Sequence, residues 1–321
     1  MAEIGQDIAK AKALLESGGL VGIPTETVYG LAANALDPMA VAAIFEAKNR
    51  PSFDPLIIHT DSLEKVAQWV EYIPDQLKTL ADVFWPGPLT LLLPKKAIIP
   101  DLVTSGLDRV AVRIPSHSLT LSLLQQLDFP LAAPSANPFG YISPTRADHV
   151  QKQLGQKIPY ILDGGSCQVG LESTILGVEG DEIVVYRLGG LELHALEAMV
   201  GAVKVKTHSS SNPSAPGLLE SHYAPRKPFY VGKLQELVPS FLEAGKKIGV
   251  LSLIENFNQV SQDLQIQLSL SGDLKEAAAG LFASMRRLDE AEVELIVAEW
   301  MPEHGLGPAM NDRLKRAAAQ G

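Results

Sequence analysis

Residues 207–228 read THSSSNPSAPGLLESHYAPRKP, with five serines and four prolines, and this stretch constrains the fold more than any other. Proline has no N–H to donate and clashes with the preceding helical turn, so neither a central strand nor a long helix runs through it. A 321-residue chain interrupted there is expected to fold as two packed units, 1–206 and 229–321, with 207–228 as linker. Apolar residues make up 46% and charged residues 20%, enough to fill a core in each unit.

Charge narrows the function. The formal net charge is −10, with 16 basic against 23 acidic residues through Lys206 and 11 against 14 beyond it. Neither unit is therefore a general coat for nucleic acid. The single cysteine, Cys167, excludes intrachain disulfides and any Cys-rich zinc site. No apolar run approaches the ~18 residues of a membrane span, and the start alternates charged and apolar residues instead of carrying a signal peptide's apolar block. A cytoplasmic protein with no membrane association is expected.

Local patterns outline the elements. Ile4, Ile8, Ala11, Leu14 and Leu15 share a helical face that Gly18-Gly19 ends, and Leu20–Ile23 follows as a strand. Asp37-Pro38 reads as N-cap and first turn of a helix to about Lys48, closed by Pro51. Leu56–His59 reads as a buried strand, Asp61 as the cap of the next helix, and Pro74 as the start of another. Strands Leu89–Leu93, Val110–Ile114 and Leu131–Ala133 follow, with a helix around Leu119–Leu127 and one begun by Ser143-Pro144. Ser173–Val178 and Ile183–Tyr186 flank Glu179-Gly180-Asp181-Glu182, a hairpin signal. A hairpin makes the sheet partly antiparallel, so the first unit is a mixed α/β sheet, not a purely parallel doubly wound one. Beyond the linker, strands Phe229–Val231, Ile248–Leu253 and Leu295–Ala298 alternate with helices near Leu234–Glu243, near Leu274–Leu288 and at the end. That alternation reads as a small parallel, Rossmann-like α/β unit.

Three segments could carry chemistry. Pro24–Leu31 (PTETVYGL) packs hydroxyls and a carboxylate at a strand end, although alone it reads as a strand-to-loop turn. Lys48 and Arg50 end a helix, where they suit either its macrodipole or a polyphosphate. Ala133–Gly140 (APSANPFG) offers Ser135 and Asn137 as compact hydrogen-bonding groups, with Ser143 then capping a helix whose free N–H groups could face a phosphate. Strand ends also carry His59, Arg113, Ser173 and Arg187. Asp163-Gly164-Gly165-Ser166 has neither a GKS/T element nor GxGxxG, which excludes the Walker A and Rossmann dinucleotide readings. His222-Tyr223 is an aromatic pair that a plain spacer does not need. Together these groups describe a crevice for a polyanion and a small zwitterion.

PTETVYGL, KNRP followed by LIIH, VAVRIP, SAN, and ESTI with the later Arg187 occur in one order. In that order they resemble the YrdC-domain family, and its threonylcarbamoyl-AMP synthases in particular. The segment APGLLESHYAP and the unit after it resemble the longer, two-domain form. The resemblance implies a twisted mixed sheet with a large concave site in the first unit. It implies synthesis of threonylcarbamoyl-adenylate and pyrophosphate from L-threonine, bicarbonate and ATP with Mg²⁺. The product would pass to a complex that modifies adenosine 37 of tRNA, and direct tRNA binding is left open.

Carried over position by position, the resemblance makes Lys48, Arg50, Ser135 and Asn137 the catalytic elements. It places Thr27, His59, Arg113, Ala133 and Ser173 at threonine. Arg50, Asp54, Arg109, Ser135, Ser143 and Arg187 would meet ATP, with Tyr223 of the linker covering the nucleotide as part of a lid. It identifies no metal ligands. Asp54 stands where the family often has Asn, and Arg109 where Thr is common. In the chemistry this implies, Lys48 and Arg50 would neutralise phosphates and Arg113 would pair with threonine's carboxylate.

Three rival readings are an RNA-binding module, the carbamoyl-adenylate domain of hydrogenase maturation and a silent paralogue. Acidity weighs against the first, one cysteine against the zinc fingers of the second, and the intact KNR and SAN elements against the third.

Overall fold

The computed structural model describes residues 1–206 and 222–319; residues 207–221, most of the expected linker, lie outside the described residues. Eleven strands form one mixed sheet: β1 (Glu3–Gly5), β2 (Val21–Ile23), β3 (Gly30–Asn34), β4 (Ile57–His59), β5 (Leu89–Pro94), β6 (Arg109–Arg113), β7 (Leu131–Ala132), β8 (Tyr160–Leu162), β9 (Thr174–Glu179), β10 (Glu182–Arg187) and β11 (Lys204–Val205). Their spatial order is β1-β8-β2-β3-β7-β4-β6-β5-β9-β10-β11. The second sheet, β12 (Phe229–Val231), β13 (Ile248–Ser252), β14 (Gln265–Gln267) and β15 (Leu295–Ala298), runs in the order β12-β15-β13-β14 and is parallel throughout. Both the mixed and the parallel character agree with the sequence patterns.

Where a local cause was present, the elements follow it. The Asp37 carboxylate accepts from the Met39 N–H and Pro38 opens the helix Pro38–Lys48. The β9–β10 hairpin pairs antiparallel, turning at Gly180 with φ +59°.

Four local expectations are corrected. Ile4 is not helical: Glu3–Gly5 pairs parallel with β8, and the Asp7 side chain caps a shorter helix, Ile8–Glu16. Asn49, with φ +51°, ends the helix before Pro51 is reached. Ser62 rather than Asp61 caps the helix Leu63–Trp69, because Asp61 is drawn into an ion pair with Lys65 at 3.0 Å. The helix after Ser143 begins only at Ala147, with no side-chain cap.

The two sheets share a core. Val28, Ile142, Leu171 and Tyr223 pack in one cluster with Phe282 and Met285 of the helix Leu274–Glu290 and with Met310 and Leu314 of the helix Gly307–Ala318. Each such large apolar side chain contributes roughly 1.5–3 kcal/mol of transfer free energy on burial. The backbones approach closely at Gly170 (φ +72°), where a Cβ would sit 2.5 Å from the Ala278 carbonyl oxygen. The second unit therefore rests on the end of the large sheet where the polar strand ends gather.

Candidate active site

Strand order, more than chain order, builds the site. His59 of β4 is in register with Arg113 of β6, Arg113 with Thr90 of β5, Thr90 with Ile175 of β9, and Ile175 with Arg187 of β10. Side chains at matched positions share a sheet face, so groups from five strands form one transverse row. Beside it lie the loop after β2, the segment Arg50–Ile57, the loop after β7, Glu172-Ser173, and His222-Tyr223. Together they line a cavity with about 600 Å³ of unfilled space, counting its open mouth.

Of the residues expected at threonine, Thr27, His59, Arg113, Ala133 and Ser173 all line this cavity. Thr27 Oγ1 is held 2.7 Å from Thr25 Oγ1 and accepts from Arg113 Nη1 at 2.8 Å. Arg113 also donates Nε to the Gly87 carbonyl and Nη2 to Glu26 Oε1 at 2.6 Å. Arg113, expected at threonine's carboxylate, already has the buried Glu26 as its charge partner. Ser173 Oγ lies 2.6 Å from Thr90 Oγ1 and accepts from Arg187 Nη2 at 3.0 Å, while Arg187 Nε donates to the Ser173 carbonyl.

The residues expected at ATP divide. Arg50, Ser135, Arg187 and Tyr223 line the cavity; Asp54, Arg109 and Ser143 do not. Arg50 is folded back on its own turn, with Nε on the Asp54 carbonyl, Nη2 on the Pro55 carbonyl and the Asp54 carboxylate at 2.9 Å. Asp54 thus pairs with Arg50 rather than facing a phosphate or meeting Arg109. Arg109 instead donates to the Tyr186 hydroxyl at 3.1 Å. Ser143 Oγ donates to Glu172 Oε1 at 2.6 Å, which makes it a support for the cavity wall instead of a helix cap.

The expected catalytic elements divide as well. Lys48 is 1% exposed, and its Nζ donates to the Ser135 and Asn137 carbonyls, both at 2.5 Å. Neither Lys48 nor Asn137 is on the cavity lining. The Lys48 ammonium, expected at a phosphate, straps the loop that presents Ser135. The Asn137 amide reinforces that loop by donating to the Pro138 and Tyr141 carbonyls.

Arg50, Arg113 and Arg187 line the cavity; Arg50 is paired with Asp54 and Arg113 with Glu26 behind the wall, and Glu172 is the carboxylate on the lining itself. Burial, aided by the Arg113 charge, pushes His59 down to about 3, and burial also drives His222 well below its ordinary value. Both imidazoles are neutral at pH 7. His59 Nδ1 and His222 Nδ1 are buried without a hydrogen-bond partner among the described residues, so each can still accept from or donate to a ligand. Tyr223, at φ +64°, stacks on Phe282 with ring centroids 5.5 Å apart and meets the His222 ring at 4.2 Å. Among the described residues no group of three or more His, Cys, Asp or Glu side chains could hold a metal.

Sequence reasoning missed Glu172 and His222 as lining residues. Glu172 was visible inside ESTI, but its role depends on partners distant in sequence. His222 stood in the odd His-Tyr pair of the expected linker.

Fold and site define a mixed α/β protein with an arginine-lined cavity at its strand ends. Residues 13–189 match the Sua5/YciO/YrdC family model, described as telomere recombination, and residues 191–319 match the model of the threonylcarbamoyl-AMP synthase C-terminal domain. The threonylcarbamoyl-AMP synthase of Pyrococcus abyssi is 41% identical, over 96% of this chain and 93% of its own. That of Bacillus subtilis is 40% identical, over 97% and 92%. The crystal structure of P. abyssi Sua5 complexed with L-threonine superposes with a TM-score of 0.92 at 39% identity, covering 99% of this chain and 97% of the other. The chain belongs to the threonylcarbamoyl-AMP synthase family.

Proposed function

We propose that this chain makes threonylcarbamoyl-AMP from L-threonine, bicarbonate and ATP, releasing pyrophosphate, and so acts as a nucleotidyltransferase. The observation that carries the reading is the convergence of Arg50, Arg113 and Arg187 on one cavity. The reaction joins anions. Threonine's free amine forms a C–N bond to the carbon of bicarbonate as a C–O bond breaks and water leaves, giving a carbamate, and a carbamate oxygen then attacks the α-phosphorus of ATP. The new O–P bond forms as the bond from the α-phosphorus to the bridging oxygen breaks, and pyrophosphate leaves. Repulsion between the reactants makes charge balance and positioning the main catalytic tasks.

In this reading Thr27, His59, Arg113, Ala133 and Ser173 hold threonine, while Arg50, Ser135, Arg187 and Tyr223 meet ATP. Arg113, already balanced by Glu26, offers a threonine carboxylate its remaining N–H groups in a fixed plane instead of a surplus charge. The neutral imidazoles of His59 and His222 supply polar contacts without adding charge. Mg²⁺ would enter as the companion of the ATP phosphates, since the one lining carboxylate is engaged by Ser143 and Arg313. The labile product would go to a transferase complex that modifies adenosine 37 of tRNA in the cytoplasm. The rival reading as an RNA-binding module gains little, because the three arginines are buried in a cavity and not spread over a surface.

The test is pyrophosphate release with Mg-ATP and bicarbonate, with and without L-threonine, with mass spectrometry of fresh reactions. Threonine-dependent release together with the threonylcarbamoyl-adenylate mass is expected. Release that ignores threonine, or none from folded protein that binds ATP, overturns the reading.

A further inference from the structure

Arg313, on the helix Gly307–Ala318, is fully buried and touches two cavity-lining residues at once. Its Nε donates to Glu172 Oε2 at 2.9 Å, and its guanidinium carbon lies 5.1 Å from the centroid of the Tyr223 ring. The fork is anchored from behind, with Nη1 on Asp312 Oδ2 at 2.7 Å and Nη2 on the Leu188 carbonyl at 2.9 Å. Glu172's other oxygen accepts from Ser143.

We infer that Arg313 is a positioning residue for the cavity: it fixes the Glu172 carboxylate and the Tyr223 ring together, making the second unit part of the ligand site. Glu172 shares the lining with three arginines. Left unheld, its carboxylate would turn toward them and compete with a ligand for their N–H groups. A charge-assisted bond to a rigid, fully buried guanidinium prevents that swing. The same planar group packs against the Tyr223 ring, which a Lys ammonium cannot do while also bonding Glu172 and Leu188. This inference rests on the reading of the cavity as the substrate site.

The test uses the full chain carrying Arg313→Lys, and separately Phe282→Leu, which removes the stacking partner of Tyr223 without touching a charge. Calorimetry measures binding of L-threonine and of a non-hydrolysable ATP analogue, alongside melting and turnover. Arg313→Lys is expected to melt lower than the parent, because it strands part of a buried network, and when folded to bind the analogue about tenfold more weakly, with the KM for ATP rising more than kcat falls. Phe282→Leu is expected to weaken the analogue and spare threonine. Folded Arg313→Lys that binds within twofold of the parent overturns the inference alone. If that variant does not fold, unchanged analogue binding by Phe282→Leu overturns it. A parent chain that binds neither ligand sinks the functional reading and this inference with it.

Discussion

Arg113 Nη2 lies 2.6 Å from Glu26 Oε1, and both side chains are buried. The second oxygen of Glu26 accepts from the Ser116 N–H at 3.1 Å, so the carboxylate is fixed at both ends. Glu26→Gln preserves the shape and removes the charge. Stranding one partner of a buried pair costs about 3–5 kcal/mol, and the surviving amide bonds place this change near the lower end. Urea denaturation should show that loss, while affinity for a carboxylate ligand rises because Arg113 is no longer neutralised. Parent-like stability would contradict the pairing.

Lys48 acts through the loop it straps. Lys48→Met leaves the Ser135 and Asn137 carbonyls without their buried donor, at about 1–3 kcal/mol for each unsatisfied group. The expected result is a lower urea midpoint with unchanged m-value, and turnover that falls as Ser135 loses its position. Normal stability with lost ATP binding would instead assign the ammonium to phosphate.

Arg109→Thr is expected to be nearly silent. Arg109 contacts Tyr186 and is absent from the cavity lining. Stability should change by about 1 kcal/mol, as for one half-buried hydrogen bond, and the KM for ATP should stay within twofold. A large KM change would return this position to the nucleotide site.

Acid should destabilise the fold through His59. Its pKa falls from the ordinary 6.5 to about 3 on folding. Between those values the unfolded chain binds a proton that the native state refuses, so stability drops as pH falls, by about 1.4 kcal/mol per unit for this group. Above about pH 6.5 the group contributes no pH dependence. His149, pushed down to about 4 chiefly by burial, adds in the same direction. Melting of the parent and of His59→Gln from pH 7.5 to 4.5 checks this, and the variant's curve should be flatter. Identical slopes would refute the buried neutral imidazole.

The chain's local chemistry was sufficient for those elements whose cause lies in neighbouring residues. Asp37-Pro38 opened its helix because capping needs only neighbouring groups, and the β9–β10 turn was readable for the same reason. It failed where two adjacent residues compete for one role, as at Asp61 and Ser62, where an ion pair to Lys65 decided the cap. β8 was missed because it is three residues long and its partners β1 and β2 lie far away in sequence, whereas β3, which pairs with the neighbouring β2, was hidden by the reading of PTETVYGL as a turn.

The motifs by themselves determined which residues were candidates, and all five of those expected at threonine line one cavity. What each side chain does there was decided only by tertiary structure. Glu26 and Arg113 are 87 residues apart, Lys48 and Ser135 also 87, and Glu172 and Arg313 141. Charge pairing and hydrogen bonding act over about 3 Å, and a non-sequential strand order sets which groups come that close. Residue identity is carried by the chain; which cation remains available to a ligand is settled only when folding assigns its partners.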